Sequence, residues 1–140
     1  MSKEDLMGFL SLMKPNLKYF EFSSCGSTNI ASYYKLKIYS VENDVLWHNK
    51  LKNSKINSSY RTVDLKAIKA RYSGNRTTIK DWKIYFQAYD SKYNADIILI
   101  DGIFWIICWL VIFPKIRNDT LVLIYDYKNG DFIIFLKNII

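Results

Sequence analysis

The sequence predicts an α+β fold, two short helices packed on a mainly antiparallel sheet or meander, with residues 1–140 forming a single domain. Three observations carry this expectation. The composition is globular, with 50% hydrophobic, 16% aromatic and 24% charged residues among 140, which is enough apolar material for a core without disulfides or metal. The N-terminus reads as a capped amphipathic helix. The C-terminal half reads as one β-type apolar run after another, separated by turn residues.

In order along the chain, Ser2 caps the first helix with Asp5 near its third position. Leu6, Phe9, Leu10 and Met13 recur on one helical face, and Pro15 ends the element. From Tyr33 to Val41 the residues alternate, with Tyr34, Leu36 and Ile38 on one side and Lys35, Lys37 and Tyr39 on the other, the pattern of a half-buried strand. Glu42, Asn43 and Asp44 make a turn, Val45 to Leu51 returns as the second strand of a hairpin, and Lys52 to Ser59 is a polar loop. A second helix runs from about Thr62 to Tyr72, with Leu65, Ile68 and Tyr72 on its inner face and Gly74 placed to end it. The remaining strands are Trp82 to Tyr89, Ala95 to Ile100, Ile103 to Phe113, Leu121 to Tyr127 and Phe132 to Leu136. Asp101-Gly102 suits a two-residue hairpin turn, and Lys128 to Asp131 gives a second turn.

The stretch Gly102 to Phe113 carries no charge. Extended back to Ile97 it reaches 17 residues, the lower edge of a membrane span, but Asp101 interrupts it and Pro114 closes it. Its β-branched and aromatic residues favour a central strand covered on both faces. Two short helices are too little to cover five apolar strands, so self-association as a homodimer through the sheet is expected.

The net charge is +7, and essentially all of the excess lies between Lys50 and Lys83, where ten basic residues meet only Asp64 and Asp81. Lys50, Lys52, Lys55, Arg61, Lys66, Lys69, Arg71, Arg76 and Lys80 are candidate phosphate contacts, with Tyr60 and Tyr72 interleaved as candidate stacking residues for unpaired bases. The plain alternative is the solvated face of a helix and its loops.

Two cysteines and one histidine make a structural zinc site unfavourable. No export signal is visible at the N-terminus, so an intracellular, cytoplasmic setting with reduced thiols is expected. Cys25 lies in FSSCGSTN, a run of small polar residues suited to exposing a thiol or presenting backbone N–H groups to an anion. His48 is the one histidine available to activate that thiol, and a lone histidine beside Trp47 reads better as a surface or packing residue. Cys108 belongs to the core. Asp90, Asp96 and Asp101 cluster in sequence, and the order of elements around them loosely resembles the PD-(D/E)XK nuclease core. The strand after Asp101 lacks that family's Glu-x-Lys, so strand-capping turns account for these aspartates better. No phosphate loop, dinucleotide fingerprint, serine elbow or zinc spacing occurs, and no cofactor is implied.

The sequence therefore points to a small basic non-enzymatic binding protein whose tract 50–83 contacts nucleic acid, single-stranded or RNA, or another acidic partner. The alternative is a protein-interaction or inhibitor module, of viral, phage or immunity type, acting through its apolar sheet. A divergent metal-dependent nuclease ranks third.

Overall fold

The computed structural model describes residues 2–42, 46–47, 49–50, 61–64, 83, 85–101, 105–126 and 131–136. Helix α1 (Lys3–Leu12) begins as its sequence demands: the Asp5 N–H donates to Ser2 Oγ at 3.1 Å, and the Ser2 N–H donates back to Asp5 Oδ2 at 3.1 Å. Both bonds satisfy donors that a helix start leaves open. Phe9 and Met13 bury the inner face of this region.

Strand β1 (Lys18–Phe22) follows, then α2 (Gly26–Tyr33), β2 (Lys37–Glu42), β3 (Arg61–Asp64), β4 (Ile97–Asp101), α3 (Trp105–Ile112), β5 (Leu121–Asp126) and β6 (Asp131–Leu136). The six strands form one sheet in the order β3-β2-β1-β4-β5-β6. Every pairing from β3 to β5 is parallel, and only β6 runs antiparallel, beside β5. The architecture is thus a doubly wound α/β sheet, which corrects the expectation of two helices on a mainly antiparallel sheet. Parallel neighbours need a crossover, and α2 and α3 supply it between β1 and β2 and between β4 and β5.

The core lies on both faces of the sheet. On one, Phe9 and Met13 with Ala31 of α2 cover Tyr19, Ile38, Ile97, Leu99 and Leu123. On the other, Tyr85, Phe86 and Tyr89 with Cys108 and Ile112 of α3 cover Phe20, Phe22, Val41, Ile98, Ile100, Val122 and Ile124. Successive residues of β1 and β4 go to opposite faces, and both sets are buried, which is why these strands read as continuous apolar runs rather than alternating ones.

Five further local expectations are corrected. Gly102 to Phe113 is not a central strand: Trp105–Ile112 is helical, and Ile106, Ile107 and Leu110 are exposed on it. Residues 46, 47, 49 and 50 are helical rather than the return strand of a hairpin. Residues 83, 85 and 86 are helical too. Within the stretch read as one strand from Tyr33, Tyr33 ends α2, Lys35 turns the chain with φ 61°, and β2 begins at Lys37. Thr62 to Asp64, read as the start of a helix, lie in β3, and the rest of that predicted helix is outside the described residues. β5 and β6 pair antiparallel and match their predicted positions closely, while residues 128–130 of the turn predicted between them lie outside the described residues. Among the described residues, no helix is long and apolar enough to cross a membrane.

Candidate functional site at the carboxyl ends of β1, β2 and β4

In a doubly wound sheet the strand order reverses where one crossover leads left and another leads right. The loops diverge there and leave a crevice outside the carboxyl ends of the strands. In this sheet the reversal falls between β1 and β4. The residues at that point are the Ser23–Cys25 loop after β1, Asp101 at the end of β4 and, one strand away, Glu42 at the end of β2.

The loop is glycine-poor but takes a glycine-type shape. Ser23 has φ 75°, a left-handed conformation that usually favours glycine, and its N–H still donates to the Val41 carbonyl at 2.8 Å. Ser24 shares a short buried hydroxyl contact with Ser40 of β2. The Cys25 N–H donates to Thr28 Oγ1 at 2.9 Å, and Gly26 then opens α2 with nothing within 4 Å of where a Cβ would stand. The N-terminal end of α2 therefore opens next to the crevice, where its dipole favours an anionic group.

Beneath the loop lies Glu21, fully buried on β1. It accepts hydrogen bonds from the Ser27 hydroxyl and from Thr28 Oγ1. Burial pushes its carboxyl from the usual range up to about 8, against the lowering effect of those hydroxyls. The Tyr19 hydroxyl lies close by without a hydrogen bond of good geometry and is pushed well up, first by burial and then by Glu21. Cys25 Sγ lies 2.8 Å from Ser27 Oγ and 3.3 Å from Asp101 Oδ2, spanning the β1–β4 crevice. Burial, then the Glu21 charge, raise this thiol far above its ordinary value, so it stays protonated and is no activated nucleophile. Asp101 is raised as well, by burial. Glu42 is only 4% exposed at the end of β2.

Trp47 reaches the loop from beyond β2, its indole N–H donating to the Ser24 carbonyl at 2.5 Å. Lys50 Nζ stands 4.6 Å over the same ring.

The sequence-predicted sites fare differently. Lys50 is exposed and Arg61 opens β3, while Lys52, Lys55, Tyr60, Lys66, Lys69, Arg71, Tyr72, Arg76 and Lys80 lie outside the described residues. His48 lies outside them too, and Cys108 is buried as expected. The three aspartates are not one site. Asp90 caps a short turn through the Lys92 N–H. Asp96, before the start of β4, binds the Lys18 N–H at 2.8 Å and Arg117 at 2.7 Å, whereas Asp101 stands at the opposite end of that strand. Among the described residues, no group of three His, Cys, Asp or Glu side chains is placed to hold a metal ion. The acid-cluster nuclease reading is corrected accordingly. Reasoning from sequence singled out the FSSCGSTN run and its capacity to offer N–H groups, but missed the preceding strand, Glu21 and Glu42. The available signal was an acid 21 positions after Glu21, at the end of the next strand.

No protein-family model and no curated protein sequence matches this chain. Solved structures do. The fold is similar to that of a methyltransferase-like protein from Silicibacter pomeroyi, with a TM-score of 0.70 and 21% identity over 91% of this chain and 72% of that one. It is also similar to the MycE methyltransferase of the mycinamycin biosynthetic pathway, in complex with Mg and SAH (TM-score 0.51, 16% identity) and with Mg, SAH and mycinamycin VI (TM-score 0.52, 16% identity). The chain spans about a third of the MycE length, 32% in each case. These likenesses, together with the parallel sheet, overturn the expectation of a non-enzymatic nucleic-acid-binding protein. The sheet-mediated interaction module loses its premise too, because buried side chains cover both faces of the sheet.

Proposed function

We propose that this chain is a methyltransferase that takes S-adenosylmethionine in the crevice outside β1, β2 and β4. The observation that carries the reading is the pairing of Glu42, an acid at the end of β2, with a left-handed loop after β1 that leads into the start of α2. In nucleotide-binding doubly wound sheets an acid in this place accepts hydrogen bonds from ribose hydroxyls. The α2 terminus suits the carboxylate at the other end of the same molecule. The fold likeness to methyltransferases supports this choice over a dinucleotide.

The donor set fits the group, with one departure. The run from Glu21 to Ser27 reads EFSSCGS, so Gly26 is its one glycine. Ser23 nevertheless adopts the left-handed shape, and Gly26 leaves open space beside it. When bound, S-adenosylmethionine supplies a methyl group made electrophilic by its sulfonium. Glu42 would hold the ribose, the loop and α2 would orient the amino-acid end, Glu21 fixes the start of α2 through Ser27 and Thr28, and Asp101 offers acceptor oxygens on the β4 side.

Calorimetric titration with S-adenosylhomocysteine tests the reading. Micromolar binding by the native protein is expected, weakened about 10- to 100-fold in Glu42→Gln, which keeps the shape but loses the charged acceptor. Absence of binding at millimolar ligand removes it.

A further inference from the structure

The β1–α2 loop of this protein is held by one backbone bond and several side-chain contacts where glycines would ordinarily let the backbone fold on itself. Ser23 is tied to β2 through the Val41 carbonyl, Ser24 to β2 through the Ser40 hydroxyl, and Cys25 to α2 through Thr28 and to β4 through Asp101. One tie is of another kind. Trp47 lies five positions beyond Glu42, on the segment that leaves β2, and its indole N–H donates to the Ser24 carbonyl. The segment that follows the proposed ribose-binding acid thus reaches back and grips the loop proposed to hold the amino-acid end.

We propose that Trp47 is a positioning residue that couples the two halves of the site by fixing the Ser24 carbonyl, an inference that rests on the S-adenosylmethionine reading above. An indole N–H is a donor only, so the contact holds one carbonyl in one direction and thereby sets the plane of the peptide between Ser24 and Cys25. Trp47 is 37% exposed but Ser24 is only 1% exposed, so losing the indole donor leaves the Ser24 carbonyl short of a partner in a covered position, at a modest cost in stability. With the other ties of the loop intact, the larger effect falls on how well the loop is preorganised for a ligand.

Trp47→Phe keeps a ring and removes the donor. Two ligands divide the site: S-adenosylhomocysteine carries the amino-acid end, and 5′-methylthioadenosine lacks it. By calorimetry, Trp47→Phe is expected to bind S-adenosylhomocysteine about tenfold more weakly while binding 5′-methylthioadenosine as the native protein does. In the ligand-free protein, hydrogen exchange at the amides of residues 23–25 is expected to quicken more than at the amides of the sheet core, with a small fall in melting temperature. Trp47→Leu, which also lacks a donor, is expected to show the same split if Phe loosens the packing. Equal weakening of both ligands, undiminished S-adenosylhomocysteine binding or unchanged loop exchange each overturns the positioning role. If the native protein binds neither ligand, the S-adenosylmethionine reading and the positioning role that rests on it both fall, whereas native binding without a split overturns the positioning role alone.

Discussion

Thr28 Oγ1 donates to Glu21 Oε2 at 2.5 Å, a bond between two fully buried side chains that fastens the first strand to the helix after it. Because burial holds the Glu21 carboxyl at about 8, the folded protein retains a proton that the unfolded chain releases near the ordinary carboxylate value of 4.5. Between those values the native state binds more protons, so stability is fully present below about pH 4.5 and is lost as pH rises towards 8. Asp101, raised in the same direction, adds to the trend. Thermal melts from pH 5 to pH 8 are expected to show a falling melting temperature, with a slope from Glu21 of at most about 1.4 kcal/mol per pH unit. Glu21→Gln should flatten the profile. A profile that rises over this range would contradict the burial argument.

Asp96 gives the opposite sign at lower pH. Burial opposes its charge, but the Lys18 N–H and the Arg117 guanidinium outweigh that and hold the carboxyl below its usual value. Its contribution is present above about pH 4 and disappears as pH falls through the lowered value. These contacts pin the start of β1 and the approach to β5 onto the entry to β4. Asp96→Ala is expected to cost about 1–2 kcal/mol in urea unfolding at pH 7, allowing for its partial exposure, and to cost progressively less as pH falls below about 4.

Two residues of α3 test the corrected assignment of this apolar run. Ile112 is fully buried, whereas Leu110 is 64% exposed. Ile112→Ala should destabilise by about 2–4 kcal/mol, and Leu110→Gln should change stability by less than about 0.5 kcal/mol. In a central strand both positions would be buried, and both substitutions would be costly.

Ser23 supplies a backbone test. At φ 75° a side chain with branching at Cβ is strained, so Ser23→Val should destabilise by about 1–2 kcal/mol. Ser23→Gly should leave the protein as stable or up to about 1 kcal/mol more stable, because relief of strain is set against the greater freedom of glycine in the unfolded chain. Chemical denaturation of the two variants under one condition decides it.

Some of this was legible locally. The Ser2–Asp5 capping box, the buried Phe9 and Met13 and the positions of β5 and β6 follow from spacing and local chemistry, which act over a few residues. The loop at Cys25 was visible as a run of small polar residues, but its partners Asp101 and Ser40 were not, because nothing in the intervening sequence states that the strands carrying them lie on either side of β1.

What the sequence determined by itself was how the first helix starts and where the strands β5 and β6 lie. What only the tertiary structure decided was the direction of pairing and the identity of the run at Trp105–Ile112. A short, wholly apolar segment carries no periodicity to separate helix from strand, and strands buried on both faces look alike whether their neighbours run parallel or antiparallel. That choice is made by long-range packing: α3 fits as the crossover that lets β5 lie parallel to β4. The site exists only as its consequence, because parallel strands bring Glu42, Cys25 and Asp101 to one edge of the sheet.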